Sequence, residues 1–318
     1  MVKRVAGLMF VGLSVSMFAS GGCSSSTTTP PPATNSGKLS QDIGPIDLAP
    51  GQETTMCITV RLPNKEAIMA TRFSATLAPG SHHLIVYRSS RTEESATPVK
   101  CEPFGGILGG SEVPIMLVER PDDDVKMPPN VGLKLEANQM VKLEAHYINT
   151  SKDPIKGKGT FNVESVPAAQ AASMIESDLS FWGSTKITID PKQTFDTGTL
   201  FQPMIAGTKG FATTTHQHRL GTKMSIWYSK AAGDTSAPPV AVNTDWEHPT
   251  LFKLDPELQF NGNEGLSYKC EYNNTTDSKI IFGESALQEM CFLWMYYYPS
   301  HGFDICFDGH CFGKSRKT

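Results

Sequence analysis

Paired histidines are the residues of this sequence whose type and spacing could do chemistry. His216 and His218 are separated by one residue, and residues two apart on a β-strand point to the same face. Two imidazoles on one face can bind a metal ion, although two solvated strand histidines would give the same pattern. His82 and His83 follow a turn at residues 78–81, where a twisted strand start would let neighbouring side chains share a metal.

Two further residues could complete such sites. His146 lies in an apolar-flanked segment, where a lone histidine is more often a core residue than a ligand. Met290 precedes Cys291, and a disulfide at that cysteine would hold the thioether rigidly as a weak ligand, although core filling is the simpler role. Neutral imidazole and thioether together suit copper, especially Cu(I), better than zinc, which prefers thiolate or carboxylate.

The seven cysteines predict disulfides once Cys23 is set aside. Six cysteines then remain, an even number that suits an oxidising compartment. The sequence alone leaves the pairing open. The simplest scheme joins neighbours: Cys57 with Cys101, Cys270 with Cys291, and Cys306 with Cys311. A zinc site made of Cys306, His310 and Cys311 is an alternative that the even count disfavours. No role is assigned to the remaining histidines, which are His248, His301 and His310.

The N-terminus predicts export. Lys3 and Arg4 precede an apolar stretch at residues 5–19, and small residues lead to Cys23. The stretch is short for a membrane span and has the order of a signal peptide, with Cys23 as a candidate lipidation site. A plain secretory signal is the alternative. We expect a signal peptide at residues 1–22, a lipidated low-complexity tether at 23–39, a location in the cell envelope and membrane contact through the lipid anchor alone.

The rest of the chain has the composition of a globular β-protein. The net charge of −4, from 28 basic and 32 acidic residues, argues against a nucleic-acid partner. Short alternating segments between frequent glycines and prolines predict an all-β fold of sandwiches or jelly rolls. The clearest strand candidates are 55–62, 83–87, 140–147, 186–189 and 223–228. One short helix is expected at 168–176, near the boundary between an N-terminal domain at 40–166 and a C-terminal domain at 167–318.

In chain order, these motifs resemble the copper type II ascorbate-dependent monooxygenases. That family includes peptidylglycine α-hydroxylating monooxygenase and dopamine β-monooxygenase. The resemblance extends over about residues 40–310. The segments that carry it are 57–63, 81–84, 145–147, 215–221 and 289–299.

The resemblance implies two jelly-roll-like antiparallel β-sandwiches with an open cleft between them. It implies two copper ions per chain. An electron-transfer copper would be held by His82, His83 and His146. The oxygen-binding, catalytic copper would be held by His216, His218 and Met290. The pairs Cys57–Cys101 and Cys270–Cys291 match cysteine pairs of the family. The implied reaction hydroxylates an activated C–H bond of a small molecule with O2 and with ascorbate or another reductant.

The substrate is where the chain departs from the family pattern. The peptide-amidating branch binds a substrate carboxylate through an arginine where this chain has Thr214. It also uses an asparagine and a tyrosine where this chain has Phe292 and Trp294. An anionic glycine terminus would lose its charge-assisted partners, so we expect a substrate other than a peptidylglycine. Thr214, Phe292 and Trp294 are candidate substrate contacts, unless the two rings point into the core.

One other function is compatible with these residues. A cell-envelope copper carrier or sensor would use one or both sites without turnover. The complete set of six ligands favours the enzyme, because a carrier needs only one site.

Overall fold

The structure is a computed structural model that describes residues 37–107, 110–285 and 287–312. The predicted signal peptide, Cys23 and residues 24–36 of the tether lie outside the described residues. Within the described residues, no helix has the length and hydrophobicity to cross a membrane. The described chain is almost entirely β-strand, which confirms the predicted all-β class.

The first eleven strands form two sheets that share one apolar core. Their order is β1-β10-β3-β8-β11 in the first sheet, where β7 also pairs with β3, and β5-β2-β9-β4-β6 in the second. Phe73 and Phe161 from the first sheet and Leu84 and Leu143 from the second are fully buried together, as in a β-sandwich. The strands are β1 (Gly37–Leu48), β2 (Glu53–Arg61), β3 (Ile68–Leu77), β4 (Ser81–Ser89), β5 (Val99–Lys100), β6 (Glu112–Val118), β7 (Asp122–Lys126), β8 (Val131–Leu135), β9 (Met140–Ile148), β10 (Ile155–Pro167) and β11 (Ile175–Glu176).

The later strands form a second set of sheets. Their orders are β19-β16-β22-β12-β23-β24, then β14-β20-β17-β18 with β15 also paired to β20, and the two-stranded β13-β21. Trp182, Met224 and Leu293 are buried in the core that these sheets share. The strands are β12 (Asp178–Ser184), β13 (Thr188–Ile189), β14 (Thr194–Asp196), β15 (Leu200–Pro203), β16 (Lys209–His216), β17 (Gly221–Ser229), β18 (Ala241–Asn243), β19 (Phe252–Gln259), β20 (Gly265–Asn273), β21 (Ile280–Ile281), β22 (Cys291–Tyr298), β23 (Asp304–Phe307) and β24 (His310–Phe312).

Strand β22 is buried on both faces and connects the two sets of sheets. Successive strand residues point to opposite faces. Leu293 and Met295 therefore lie in the C-terminal core, while Phe292 and Trp294 lie in the core that continues into the N-terminal half. The two halves share a continuous apolar core there, and the open cleft between them is not confirmed.

The segment between the two sets of sheets is not the expected helix. The helix predicted at 168–176 is wrong: only the single 3₁₀ turn Ala168–Gln170 forms, and Ile175–Glu176 is a strand. Ile175 donates its backbone N–H to Asn130 and pairs in parallel with Val131 on β8. Pairing with an existing sheet edge satisfies backbone groups that so short a helix would leave open.

The structure contains the three expected disulfides, Cys57–Cys101, Cys270–Cys291 and Cys306–Cys311. They close loops with sequence separations of 44, 21 and 5 residues. The third disulfide excludes the zinc alternative, because zinc binds cysteine as a free thiolate.

Candidate metal centre

A β-bulge at the start of β4 brings the adjacent histidines together. Ser81 pairs with Tyr147 and His83 with His146, so the register shifts at His82. The bulge follows a turn in which Ser81 donates its N–H to the Ala78 carbonyl and Gly80 has a φ of 81°. Because a bulge re-aims one side chain, both imidazoles turn to the same side.

The rings of His82, His83 and His146 form a three-histidine cluster. The Nδ1 atoms of His82 and His83 are 3.4 Å apart, a separation that a metal with bonds of about 2 Å to each nitrogen can bridge. His146 lies directly across from His83 on β9, and the three ligand atoms lie within 4.8 Å of one another. Nε2 of His146 hydrogen-bonds the Glu53 carboxylate at 2.9 Å, which leaves Nδ1 to face a metal.

His216 and His218 form a second pair, with ring centroids 5.1 Å apart. Strand β16 ends at His216, so the alternation of side chains along a regular strand does not determine the direction of His218. Nδ1 of His216 hydrogen-bonds the Glu119 carboxylate, and Nδ1 of His218 donates to the Gln288 carbonyl at 2.9 Å. Both bonds put the ring proton on Nδ1 and leave the Nε2 lone pairs available for a metal.

The backbone on either side of Met290 is tied to the segment that carries this pair. The buried Glu289 carboxylate accepts the backbone N–H groups of His218 at 3.0 Å and Leu220 at 2.8 Å. The Tyr272 hydroxyl donates to the Met290 carbonyl at 2.7 Å. Together with the Cys270–Cys291 disulfide, these bonds fix the backbone that carries the thioether.

The two histidine sets touch across the junction between the N-terminal and C-terminal sheets. The ring of His83 meets that of His216 edge to face, with centroids 5.9 Å apart. Glu119 makes the second link, since it lies between β6 and β7 in the N-terminal half and bonds to His216 in the C-terminal half. At this point the structure has contact where the sequence predicted an open cleft.

Burial keeps several of these imidazoles neutral. The pKa of His82 is lowered to about 3, chiefly by loss of solvent and then by the neighbouring His146 and His216. Burial likewise lowers the pKa of His218 to about 3, with His216 adding to the shift. Burial also lowers the pKa of His83 well below its usual value. Neutral imidazoles at physiological pH are the form that binds metal.

The donor set fits copper. The Nε2 atom of His216, whose Nδ1 is anchored to Glu119, is buried and has no hydrogen-bond partner among the described residues. A buried ring nitrogen without a partner is costly in a protein interior, and a metal ion would satisfy it. Imidazole nitrogens with one thioether and no thiolate match the ligand preference of copper.

The candidate substrate contacts are buried, and the alternative that the two rings point into the core describes Phe292 and Trp294. Thr214, Phe292 and Trp294 are 5%, 3% and 1% exposed. The ring of Phe181 stacks on Trp294 at 4.0 Å between centroids and meets Phe292 edge to face at 4.7 Å. The two rings fill the core between the halves, because both faces of β22 are covered and neither faces solvent.

The other histidines lie apart from the two sets. The ring of His301 stacks on Tyr297, and His310 is exposed on β24. His248 is exposed and lines a cavity that also contains His82. Sequence reasoning missed three carboxylates that position the imidazoles, Glu53, Glu119 and Glu289. Single acidic residues in strands and loops give no signal of such a role.

Comparison with known proteins identifies the C-terminal half. Residues 185–311 match the family model described as the copper type II ascorbate-dependent monooxygenase C-terminal domain. This segment contains His216, His218 and Met290. No curated protein matches the chain.

Solved structures that resemble this chain include two proteins of viruses at low sequence identity. The major capsid protein P2 of bacteriophage PM2 has 7% identity and a TM-score of 0.35, with 82% of this chain and 97% of that chain covered. A chain of Sulfolobus Turreted Icosahedral Virus has 10% identity and a TM-score of 0.21, with 81% and 58% covered. Scores this low carry no argument about this chain.

Proposed function

Because its C-terminal half places this chain in the copper type II ascorbate-dependent monooxygenase family, we propose that it hydroxylates an activated C–H bond with O2 and two electrons. The overall reaction consumes the substrate, O2, two electrons and two protons, and yields the alcohol and water. One observation carries the proposal: two sets of buried imidazoles with available ring nitrogens lie in contact at the junction of the two halves.

The two sets would hold one copper ion each. His82, His83 and His146 offer three nitrogens and no softer donor, and the family resemblance assigns this set to electron transfer. His216 and His218 offer two nitrogens beside Met290, and a thioether favours the reduced ion that reacts with O2. Copper bound at these residues would supply the electron storage and oxygen activation that no side chain of the chain can perform.

The surrounding residues set the geometry of both sites. Glu119 and the Gln288 carbonyl hold the rings of His216 and His218 by Nδ1, so that each Nε2 points away from its anchor. Glu53 holds the ring of His146 by Nε2, so that its Nδ1 is the nitrogen left for a metal. Such anchoring bonds fix the tautomer and raise the basicity of the ligating nitrogen. The apolar core around Trp294 excludes water from one side of the C-terminal set.

The substrate in this proposal is a small molecule other than a peptidylglycine. Thr214 stands where an anionic peptide terminus would need a guanidinium, and its side chain is buried. The proposal includes export to the cell envelope and anchoring through Cys23. Three disulfides in one chain support an oxidising compartment.

Isotope labelling tests the proposal. Copper-loaded protein is supplied with ascorbate, ¹⁸O2 and a panel of small molecules with benzylic or heteroatom-activated C–H bonds. We expect one labelled oxygen atom per product molecule, lost in His216→Ala. Tight binding of copper with no label in any product would support the alternative, a copper carrier or sensor.

A further inference from the structure

A cavity of about 460 Å³ opens beside the three-histidine cluster. Its lining comes from both halves: the turn that ends at His82, the loop at Glu119 and Arg120, and the segment from Trp246 to His248. The volume lies in the range of small-molecule sites. The cavity thus connects solvent to His82, the least buried of the three clustered histidines.

An aromatic ring lines the cavity beside the cluster. The indole ring of Trp246 stacks on the His82 imidazole, with centroids 6.1 Å apart and 25° between the planes. Trp246 is half-buried, so part of its ring stays open to the cavity. A planar molecule stacked on that ring would be in contact with the ring system that leads to His82.

The polar groups at the rim have unused bonding capacity. The guanidinium of Arg120 is exposed and forms no side-chain hydrogen bond or salt bridge with the described residues, although its charge acts on the nearby Asp123 carboxylate. The Glu247 carboxylate likewise forms no side-chain hydrogen bond or salt bridge with the described residues. His248 is exposed, and its Nδ1 lies 3.8 Å from Asp245. Arg120 can bind an enolate or carboxylate in a bidentate manner, and Glu247 can accept hydroxyl protons.

We propose that this cavity binds the electron donor, a small planar polyhydroxylated enediolate anion of the ascorbate class. The inference rests on the proposed function, because it assigns the three-histidine cluster to electron transfer. Arg120 would pair with the enediolate, Glu247 would accept hydroxyl protons, and Trp246 would stack on the ring. One monoanion would give up one electron and release one proton to solvent, becoming a radical anion, and the electron would reduce one Cu(II) to Cu(I).

The position of the cavity favours the reductant over the hydroxylation substrate. The cavity is lined by His82, whereas His218 and Met290 of the proposed oxygen site do not belong to its lining. The cavity is linked to the C-terminal histidines by Glu119, which lines the cavity and hydrogen-bonds Nδ1 of His216. The Nε2 atom of His216 that would bind a metal lies on the other side of the ring.

The first test measures binding of ascorbate to the metal-free full chain. Saturation-transfer NMR titrations compare wild type with Arg120→Gln and Trp246→Ala. Loss of a charge-assisted bond should weaken binding about ten- to hundredfold in Arg120→Gln. Lys65→Gln removes an exposed cation outside the cavity lining and should leave affinity unchanged. An uncharged 3-O-methyl derivative should bind wild type and Arg120→Gln alike. Equal ascorbate affinity in all variants would overturn the proposal.

The second test measures electron delivery to copper. Loss of the Cu(II) EPR signal is followed without O2 after mixing with ascorbate or with the cation hexaammineruthenium(II). Arg120→Gln and Trp246→Ala should slow reduction by ascorbate about tenfold and leave reduction by the cation unchanged. Unchanged ascorbate rates with two coppers still bound would reject this cavity but spare the monooxygenase. A chain that binds no copper would reject the proposed function itself, while the binding titration would still judge the cavity.

Discussion

Glu119 of the N-terminal half hydrogen-bonds Nδ1 of His216 in the C-terminal half. Both side chains are almost completely buried. The bond orients an imidazole of one proposed copper site from the sheets that carry the other proposed site. The two sites are therefore coupled through a carboxylate as well as through the contact between His83 and His216.

Glu119→Gln should weaken copper binding at the C-terminal site about ten- to hundredfold, because a neutral amide anchors the imidazole less strongly than a carboxylate. The N-terminal site should keep its affinity. Competition titration against a chelator, with His83→Ala to isolate the C-terminal site, measures the effect. Glu247→Gln, an exposed carboxylate nearby, is the matched control. Equal losses at both sites would show that Glu119 acts on folding alone.

Asp123 predicts a dependence of stability on pH. Its carboxylate accepts the backbone N–H groups of Glu119 at 2.9 Å and Arg120 at 3.3 Å. Burial, with a contribution from the Glu119 charge, raises its pKa from 3.8 to about 6. Between these two pKa values, Asp123 is protonated more fully in the folded protein than in the unfolded chain. The free energy of unfolding therefore falls as pH rises through that window.

Urea denaturation of metal-free protein from pH 4 to pH 7 checks this prediction. The stability of wild type relative to Asp123→Asn should decrease between about pH 4 and pH 6 and then level off. Asp122→Asn, at the exposed neighbouring position, should show the same pH dependence of the free energy of unfolding as wild type. If the stability difference between wild type and Asp123→Asn does not change with pH, the raised pKa does not belong to Asp123.

The Cys270–Cys291 disulfide should matter to the C-terminal copper. Replacing both cysteines with serine should cost about 3 kcal/mol of stability, since the bond closes a loop of about 20 residues. It should also weaken copper at the Met290 site, because the backbone next to the thioether is released. The double serine variant of Cys306 and Cys311, whose loop is only 5 residues, should affect both less. If the two double serine variants lowered stability and copper affinity equally, the Cys270–Cys291 disulfide would have no special role at the Met290 site.

Met290→Leu should abolish hydroxylation while preserving the fold and the N-terminal copper. Leucine fills a similar volume but has no sulfur lone pair, so the expected stability change is below about 1.5 kcal/mol. Met295→Leu, buried on the opposite face of β22, is the control for packing. Product formation and thermal unfolding report the two effects separately. Full activity of Met290→Leu would remove the thioether from the site.

The sequence predicted the donors better than their arrangement. Histidine spacing indicated the pairs His82–His83 and His216–His218, and the family resemblance added His146 and Met290. The turn before His82 indicated the distortion that the bulge at β4 provides. The cysteines paired as neighbours. These features depend on local geometry, which residues close in the chain determine.

The sequence pattern did not predict the long-range packing. Phe292 and Trp294 were candidate substrate contacts because they stand where the peptide-amidating branch has substrate-binding residues. Since β22 is apolar on both faces, it has no alternation to show which side is solvated. Glu119 is 97 residues from His216, and no local pattern marks their bond. The short helix failed because Ile175 gains backbone bonds from β8 that single-segment propensity does not include.

Copper stoichiometry combined with EPR tests the central claim most directly. The account predicts two coppers per chain, with one lost in His83→Ala and one in His216→Ala. It also predicts dipolar broadening between the two Cu(II) signals that disappears in either variant, since the two ligand sets are in contact. A single copper per chain, or two coppers with sharp independent signals, would contradict it.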